Sequence, residues 1–260
     1  MRWASFFAAI VLLGGCVQAQ DCDIWDCIQA IPVFYDCRDG ADTQVILTCH
    51  SESPVRYGWT MYNAYGEFMQ SWDGPIQPGA LKPWQPRWLL EEAPTGFDEW
   101  DTAWGLFMIY VLDDPSQQGS LSVTVARYDS TGRGLGREHV SQLPLAYEEE
   151  GRAYLGAFYR ATQTTHDILT VANASSDDVE FAVRAFDLSG NLVIEEFGYL
   201  LPYECDYYEL QDLVPQPPSE YYQGVLKVVA DLEDKDTLLL VLTHWQDANW
   251  YNLFRHEQLP

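Results

Sequence analysis

The stretch Tyr62-Asn63-Ala64-Tyr65-Gly66 recurs in the chain as Tyr128-Asp129-Ser130-Thr131-Gly132 and as Phe186-Asp187-Leu188-Ser189-Gly190. Each copy has an aromatic residue, then Asn or Asp, two variable residues and Gly. The Asn or Asp side chain can accept hydrogen bonds from backbone N–H groups ahead of it, and Gly adopts a positive φ without a Cβ clash. The pattern predicts a type I turn followed by a glycine bulge, which closes a β-hairpin.

The residues around each turn support this interpretation. Apolar residues alternate with period two before the three turns, at Val55, Tyr57, Trp59, at Leu121, Val123, Val125, and at Val179, Phe181, Val183. Such alternation predicts strands with one buried face. A proline follows each aromatic residue by 16 positions (78 − 62), at Pro78, Pro144 and Pro202. Because proline cannot donate to a strand ladder, it predicts the end of each return strand.

A fourth, weaker copy follows Leu238, and the four units form pairs. Units one and three match over a longer stretch at an offset of 124 residues (190 − 66), beginning with Phe34-Tyr35 and Phe158-Tyr159. We therefore expect an all-β fold of two tandem immunoglobulin-like β-sandwich domains built from four repeated hairpin units. The alternative is a four-unit, propeller-like ring. The layout resembles that of bacterial envelope proteins with immunoglobulin-like modules, although no motif identifies a family.

The predicted domain boundaries follow from these pairs. The first sandwich takes residues 20–144 and includes a disulfide-rich N-terminal segment, residues 145–153 form a linker, and the second sandwich takes residues 154–260. We expect the two sandwiches to fold independently, with few contacts between them.

The N-terminus has the pattern of an export signal. Arg2 precedes an apolar run from Phe6 to Leu13, which is too short to span a bilayer. Residues 1–19 then form a cleaved signal peptide, or residues 1–15 are removed and Cys16 is lipidated. The expected locations are the periplasm, the outer membrane as a lipoprotein, or the medium.

The charge of the chain restricts its partners. It carries 14 Lys and Arg against 39 Asp and Glu, a net charge of −25. Such a charge repels nucleic acid and anionic lipid headgroups. We expect a protein or glycan partner, no nucleic acid, and membrane contact only through a lipid anchor on Cys16.

The cysteines fit an oxidising compartment. Cys22, Cys27, Cys37 and Cys49 crowd the start of the mature chain and have no redox or zinc spacing, so they are candidate disulfide residues of unknown connectivity. Cys205 stands alone. It is either a buried thiol that packs like a hydrophobic residue or a bridge to another chain. Its polar neighbours suggest exposure and a raised thiol pKa, and an unreactive free thiol is favoured over a covalent dimer.

The sequence has no recognisable catalytic motif. A GxSxG or HExxH pattern is missing, and the five histidines are scattered. The acidic run Asp231–Asp236 lacks the Gly and closing Glu of a calcium loop. We therefore expect a protein that is not an enzyme, with no cofactor and no metal site. A carboxylate-dependent hydrolase is the least favoured alternative, because acidic residues are too abundant to single out a pair.

Aromatic residues are the best candidates for ligand binding. Several lie outside the alternating strands and beside carboxylates: Trp84, Trp88, Trp100, Tyr207 and Tyr208. Flat rings with flanking carboxylates suit sugar stacking or a protein interface. The leading interpretation is a non-enzymatic structural or adhesive module of the cell envelope or extracellular space, and the alternative is a glycan-binding module that uses the exposed Trp residues.

Overall fold

The structure is a computed structural model of the chain. It describes residues 27–38, 41–92, 102–112, 119–128, 134–140, 153–161, 165–213, 222–230, 238–246 and 249–251. The predicted signal peptide, Cys16, Cys22 and Trp100 lie outside the described residues, as do the acidic run 231–236 and nearly all of the predicted linker.

The first half of the chain folds into two antiparallel sheets. Its elements are β1 (Cys27–Asp36), β2 (Asp42–Cys49), β3 (Val55–Asn63), β4 (Phe68–Ile76), β5 (Leu81–Trp84), α1 (Pro86–Glu92), β6 (Trp104–Leu112), β7 (Leu121–Tyr128) and β8 (Gly134–Val140). One sheet has the order β1-β6-β3-β4 and the other the order β5-β2-β7-β8. The short helix α1 starts at Pro86, where the missing N–H costs no helical hydrogen bond.

The second half repeats this order of elements. They are β9 (Ala153–Ala161), β10 (Thr165–Asn173), β11 (Val179–Asp187), β12 (Leu192–Leu200), β13 (Cys205–Glu209), α2 (Leu210–Leu213), β14 (Tyr222–Ala230), β15 (Leu238–Gln246) and β16 (Asn249–Tyr251). The strands pair in the order β12-β11-β14-β9-β10-β15-β16, and β13 pairs with β10. Strands β9 and β10 share one residue pair, His166 with Ala161.

Two predicted turns are hairpin turns in the structure. Strands β3 and β4 pair around Gly66, whose φ is +76°, and β11 and β12 pair around Gly190, whose φ is +85°. The amide of each glycine donates to the carbonyl three residues earlier, that of Asn63 (3.1 Å) or Asp187 (3.0 Å). The return strands end at Ile76 and Leu200, before the predicted prolines. Residues 129–133 and 247–248, where the other two turns were predicted, lie outside the described residues.

Each half has its own buried core, which lies between the two sheets in the first half and against the single eight-stranded sheet in the second. In the first half, alternate residues of β1, β2, β3, β6 and β7 face one another, with Trp59, Phe107 and Leu47 among the most buried. In the second half the corresponding cluster includes Val171 and Val183. The fold is therefore all-β, with several antiparallel sheets, none closed on itself, layered as in a β-sandwich.

A third cluster joins the two halves. The outward face of β1, β3 and β6 contributes Phe34, Tyr62, Trp104, Leu106, Met108 and Tyr110, and the second half contributes Ala172, Ala174, Cys205 and Leu239. Strand β6 is buried at all nine positions, since one face lines the first core and the other lines this cluster. The two halves therefore contact each other through this cluster, although most contacts of the described strands lie within one half.

Candidate functional site

The candidate site is the junction between the halves, and the turn after β3 forms its centre. The Asn63 carboxamide oxygen accepts from the amides of Tyr65 (3.0 Å) and Glu67 (2.9 Å), which fixes the turn. The turn backbone then contacts the second half: the Cys205 amide donates to the carbonyl of Ala64 at 2.8 Å. Ala64 is 1% exposed, so the tip of this hairpin is buried by the contact.

An aromatic stack lies beside this turn. The rings of Tyr62 and Tyr203 are parallel within 9° and their centroids lie 4.1 Å apart. Tyr203 has a φ of +62°, which is uncommon for a residue with a side chain. Tyr35, behind the stack, donates its hydroxyl to the carbonyls of Tyr62 (3.2 Å) and Thr102 (3.0 Å). The stack therefore connects the backbone of the first half to the segment between β12 and β13.

A cation lies on the other side of the junction. The Arg38 guanidinium is 4.5 Å from the ring centroid of Trp104 and 5.5 Å from that of Tyr207. Two of its nitrogens donate to the Asp36 carboxylate, at 3.1 and 2.8 Å. Trp104 and Tyr207 meet edge to face at 5.6 Å. A partly buried cation held between two rings and a carboxylate strengthens the contact between the halves.

Cys205 corrects one prediction. It is buried in the junction instead of exposed, and it is a free thiol. Burial, followed by the charges of Glu204 and Asp206, raises the pKa of the Cys205 thiol, which agrees with the predicted direction. Burial also raises the pKa of the Tyr35 hydroxyl. Both groups are therefore protonated at neutral pH and serve to pack the junction.

The predicted aromatic ligand residues lie in separate places. Trp84 is partly buried, and its ring centroid lies 5.1 Å from that of Trp59 and 5.2 Å from that of Trp72. Its indole N–H donates to the Tyr57 hydroxyl at 3.2 Å. The Lys82 ammonium lies 5.2 Å from the Trp84 ring centroid. These contacts make Trp84 part of the edge of the first core.

The other aromatic candidates are distributed as follows. Trp88 is 62% exposed on α1. Tyr207 belongs to the junction, whereas the next residue, Tyr208, packs against the second core and meets Phe181 edge to face at 6.1 Å. Burial raises the pKa of the Tyr208 hydroxyl, with a further contribution from Asp206. The structure thus brings Tyr207 into the candidate site and leaves Trp84, Trp88 and Tyr208 outside it.

Two of the candidate disulfide cysteines are described, and both are buried free thiols. The Cys37 sulfur lies 3.8 Å from a carboxylate oxygen of Asp42, and Cys49 is buried at the end of β2. Burial and the Asp42 charge raise the pKa of Cys37 to about 12. The side chains of Cys22 and Cys27 lie outside the described part of the chain, so the disulfide pairing stays a prediction.

Within the described residues, no group of three or more His, Cys, Asp or Glu side chains could hold a metal ion. Both described helices are too short and polar to cross a bilayer. Burial raises the pKa of the Cys37 and Cys205 thiols, so both are protonated at neutral pH and are poor nucleophiles. The described junction contacts are apolar packing, ring contacts and backbone hydrogen bonds.

Several junction residues were not predicted from the sequence, among them Arg38, Tyr62 and Trp104. The sequence does contain a pattern that indicates this contact. Residues 104–112 form an uninterrupted apolar run, which is typical of a strand buried on both faces. Both faces of such a strand need partners, and in this fold the second partner is the other half of the chain.

Comparison with known proteins adds no relative. No protein-family model matches the chain, and no curated protein matches it.

Proposed function

We propose that this protein is a non-enzymatic structural or adhesive module that is exported to the cell envelope or extracellular space. The supports are the signal-like N-terminus, the acidic composition and the repeated order of β elements. A protein of this kind acts through the shape and chemistry of its surfaces. Its partner would be a protein or a glycan in the same compartment.

We further infer that the halves are two copies of one sandwich module. The order β1-β6-β3-β4 corresponds to β9-β14-β11-β12, and β5-β2-β7-β8 corresponds to β13-β10-β15-β16. Two antiparallel sheets over one core are the architecture of immunoglobulin-like domains. The strand order differs from the A-B-E-D over C-F-G order of immunoglobulin constant domains, so the likeness lies in the architecture.

The observation that carries this proposal is the junction itself. A turn, an aromatic stack and an arginine held between two rings and a carboxylate connect the halves. The apolar outward face of β6 is covered by the second half. Such a junction restricts the motion of one module relative to the other.

Crosslinking on intact cells, followed by mass spectrometry, tests this proposal. We expect crosslinks to envelope or extracellular components and a mature N-terminus at Gln20 or at a lipidated Cys16. Recovery of the protein in the cytoplasm with residues 1–19 attached would contradict it.

A glycan-binding role is the second candidate, and the exposure of Trp88 supports it. The indole lies on α1 with 62% of its surface accessible, and Glu91 follows one helical turn later. We expect a glycan array to yield a ligand whose binding is lost in Trp88→Ala. Phe68→Ala removes an aromatic side chain that is 54% exposed on another element, and it should leave binding unchanged. An array without ligands, or equal losses in both variants, would reject this role.

A further inference from the structure

The junction consists of two complementary surfaces. The first, here called the turn surface, is formed by Tyr62, Ala64, Gly66 and Leu106. The second, here called the receiving surface, is formed by Ala172, Tyr203, Cys205 and Leu239. The two surfaces meet through three contacts. The Cys205 amide donates a hydrogen bond to the Ala64 carbonyl, Tyr65 and Glu204 form an antiparallel β-bridge, and the rings of Tyr62 and Tyr203 stack.

The second half carries a turn surface of its own that is exposed. Asp187 accepts from the amides of Ser189 (2.8 Å) and Asn191 (2.9 Å), as Asn63 does in the first turn. Phe186 pairs with Val225 across the sheet, as Tyr62 pairs with Leu106. Leu188, at the position of the buried Ala64, is 64% exposed, and Val225 is 43% exposed.

Gly190 shows that this second turn surface is uncovered. A Cβ at Gly66 would overlap the carbonyl oxygen of Pro202 on the receiving surface, whereas a Cβ at Gly190 would meet no atom of the described residues within 4 Å. Among the described residues, the turn is therefore docked in the first half and exposed in the second.

The first half carries the corresponding receiving surface. The backbone there resembles that of the receiving surface in the second half. Gly79, which occupies the position equivalent to Tyr203 (203 − 124), has a φ of +69°, and Tyr203 has a φ of +62°. The carbonyl of Ala80 accepts from Cys49 at 3.1 Å, and that of Glu204 accepts from Asn173 at 2.8 Å. Leu81, at the position of Cys205, is 66% exposed.

The side chains on this second receiving surface are small and uncharged. Thr48 pairs with Leu81 and with Ser122, as Ala172 pairs with Cys205 and with Leu239. The outward positions of β2 and β7 from Gln44 to Thr48 and from Ser122 to Ala126 carry no charge. In a chain of net charge −25, an uncharged surface is where two copies repel each other least.

We propose that a second copy of this chain docks here, with the turn surface around Leu188 of one molecule on the receiving surface around Leu81 of the next. The contact uses the turn and strand positions that join the halves within one molecule, but without a ring stack, because Gly79 stands at the position of Tyr203. It uses different patches on the two partners, so it can extend head to tail into a filament or close into a ring. This inference rests on the proposed structural function, and it identifies the partner of the protein as a second copy of the same chain.

Sedimentation velocity of the exported, purified chain tests the assembly. We expect species larger than dimers, favoured by concentration and by raising NaCl to about 0.5 M, because salt screens the acidic surfaces. Leu188→Glu and Leu81→Glu should each weaken association at least about tenfold, since each places a charge in an apolar contact. Both side chains are exposed in the single molecule, so thermal melts should be unchanged.

Mixing the two variants separates head-to-tail assembly from other modes. Each variant keeps one intact surface, so an equimolar mixture should form dimers that do not extend. Phe197→Glu is the charge-matched control: Phe197 is 75% exposed, and its counterpart Asp73 (197 − 124) is exposed outside the junction. This variant should still assemble.

Two results would overturn the proposal. One is a monomer at every concentration and salt level. The other is a dimer that Phe197→Glu abolishes and Leu81→Glu does not, which would indicate face-to-face pairing of the β11–β12 sheet. Crosslinking on intact cells distinguishes failure of the assembly proposal from failure of the proposed function. A monomeric protein in the envelope would reject the assembly proposal alone. A protein that assembles but is found in the cytoplasm would reject the envelope function.

Discussion

Gly66 and Gly190 occupy the same position in two hairpin turns, yet their surroundings differ. Both have positive φ, so Ala at either position adds backbone strain of about 1 kcal/mol. At Gly66 the new Cβ also overlaps the Pro202 carbonyl. We expect Gly190→Ala to lower the free energy of unfolding by about 1 kcal/mol and Gly66→Ala to lower it by about 3 kcal/mol.

Urea denaturation at equilibrium measures both values. Gly79→Ala is the matched control for strain alone, because Gly79 has a φ of +69° and open space around it. Equal losses at Gly66 and Gly190 would show that the turn does not contact the second half in solution.

Two buried groups in the first core predict how stability depends on pH. Burial raises the pKa of Tyr57 from 10.0 to about 12, and burial and Asp42 raise that of Cys37 from 9.0 to about 12. In both cases folding favours the protonated form. Their contribution to stability is therefore complete below the unfolded pKa values of 9.0 and 10.0 and is lost as the pH rises towards 12.

We expect the free energy of unfolding in urea to fall steadily above pH 9. Tyr57→Phe, which removes one of the buried groups with a raised pKa, should make the fall above pH 10 less steep. A stability that is constant from pH 8 to about pH 11 would contradict the burial of these groups.

Among the elements, the hairpins were the most predictable. A turn such as 62–66 is decided by neighbouring residues, since Asn63 bonds to the backbone two and four residues ahead and Gly66 supplies the positive φ. The alternation in β3 and β11 was visible because one face is buried. Strand β6 gave no alternation because both of its faces are buried.

The candidate site was harder to predict because its contacts are distant in sequence. Tyr207 and Tyr208 are neighbours, so a strand points them to opposite faces, one into the junction and one towards the second core. The same alternation explains Cys205: its acidic neighbours Glu204 and Asp206 lie beside a buried side chain. Adjacent residues in a strand do not share an environment.

At the scale of the whole molecule, the junction predicts that the halves unfold together. Leu106 is fully buried in the third cluster, and Leu106→Ala should cost about 2–5 kcal/mol. Because the lost contact belongs to both halves, we expect calorimetry to show one transition at a lower Tm in the variant, as in the parent chain. Leu188→Ala, at an exposed position, should leave the Tm unchanged.

Two separate transitions in the parent chain, with one of them unaffected by Leu106→Ala, would support the original expectation of independent sandwiches. Calorimetric and van't Hoff enthalpies that agree would support coupling.

The tryptophan cluster at the edge of the first core gives the molecule an internal optical reporter. Trp84 lies with its ring centroid 5.1 Å from that of Trp59 and 5.2 Å from that of Trp72. Indoles this close share their electronic excitation, so the cluster produces a coupled circular-dichroism band whose sign depends on their mutual orientation. Beyond residue 152 the sequence has only Trp245 and Trp250. These two are register partners across β15 and β16 and can produce a coupled band of their own. The part of the signal that Trp84→Phe abolishes therefore reports on β3, β4 and β5, and its loss on heating follows the opening of the first half without any added label.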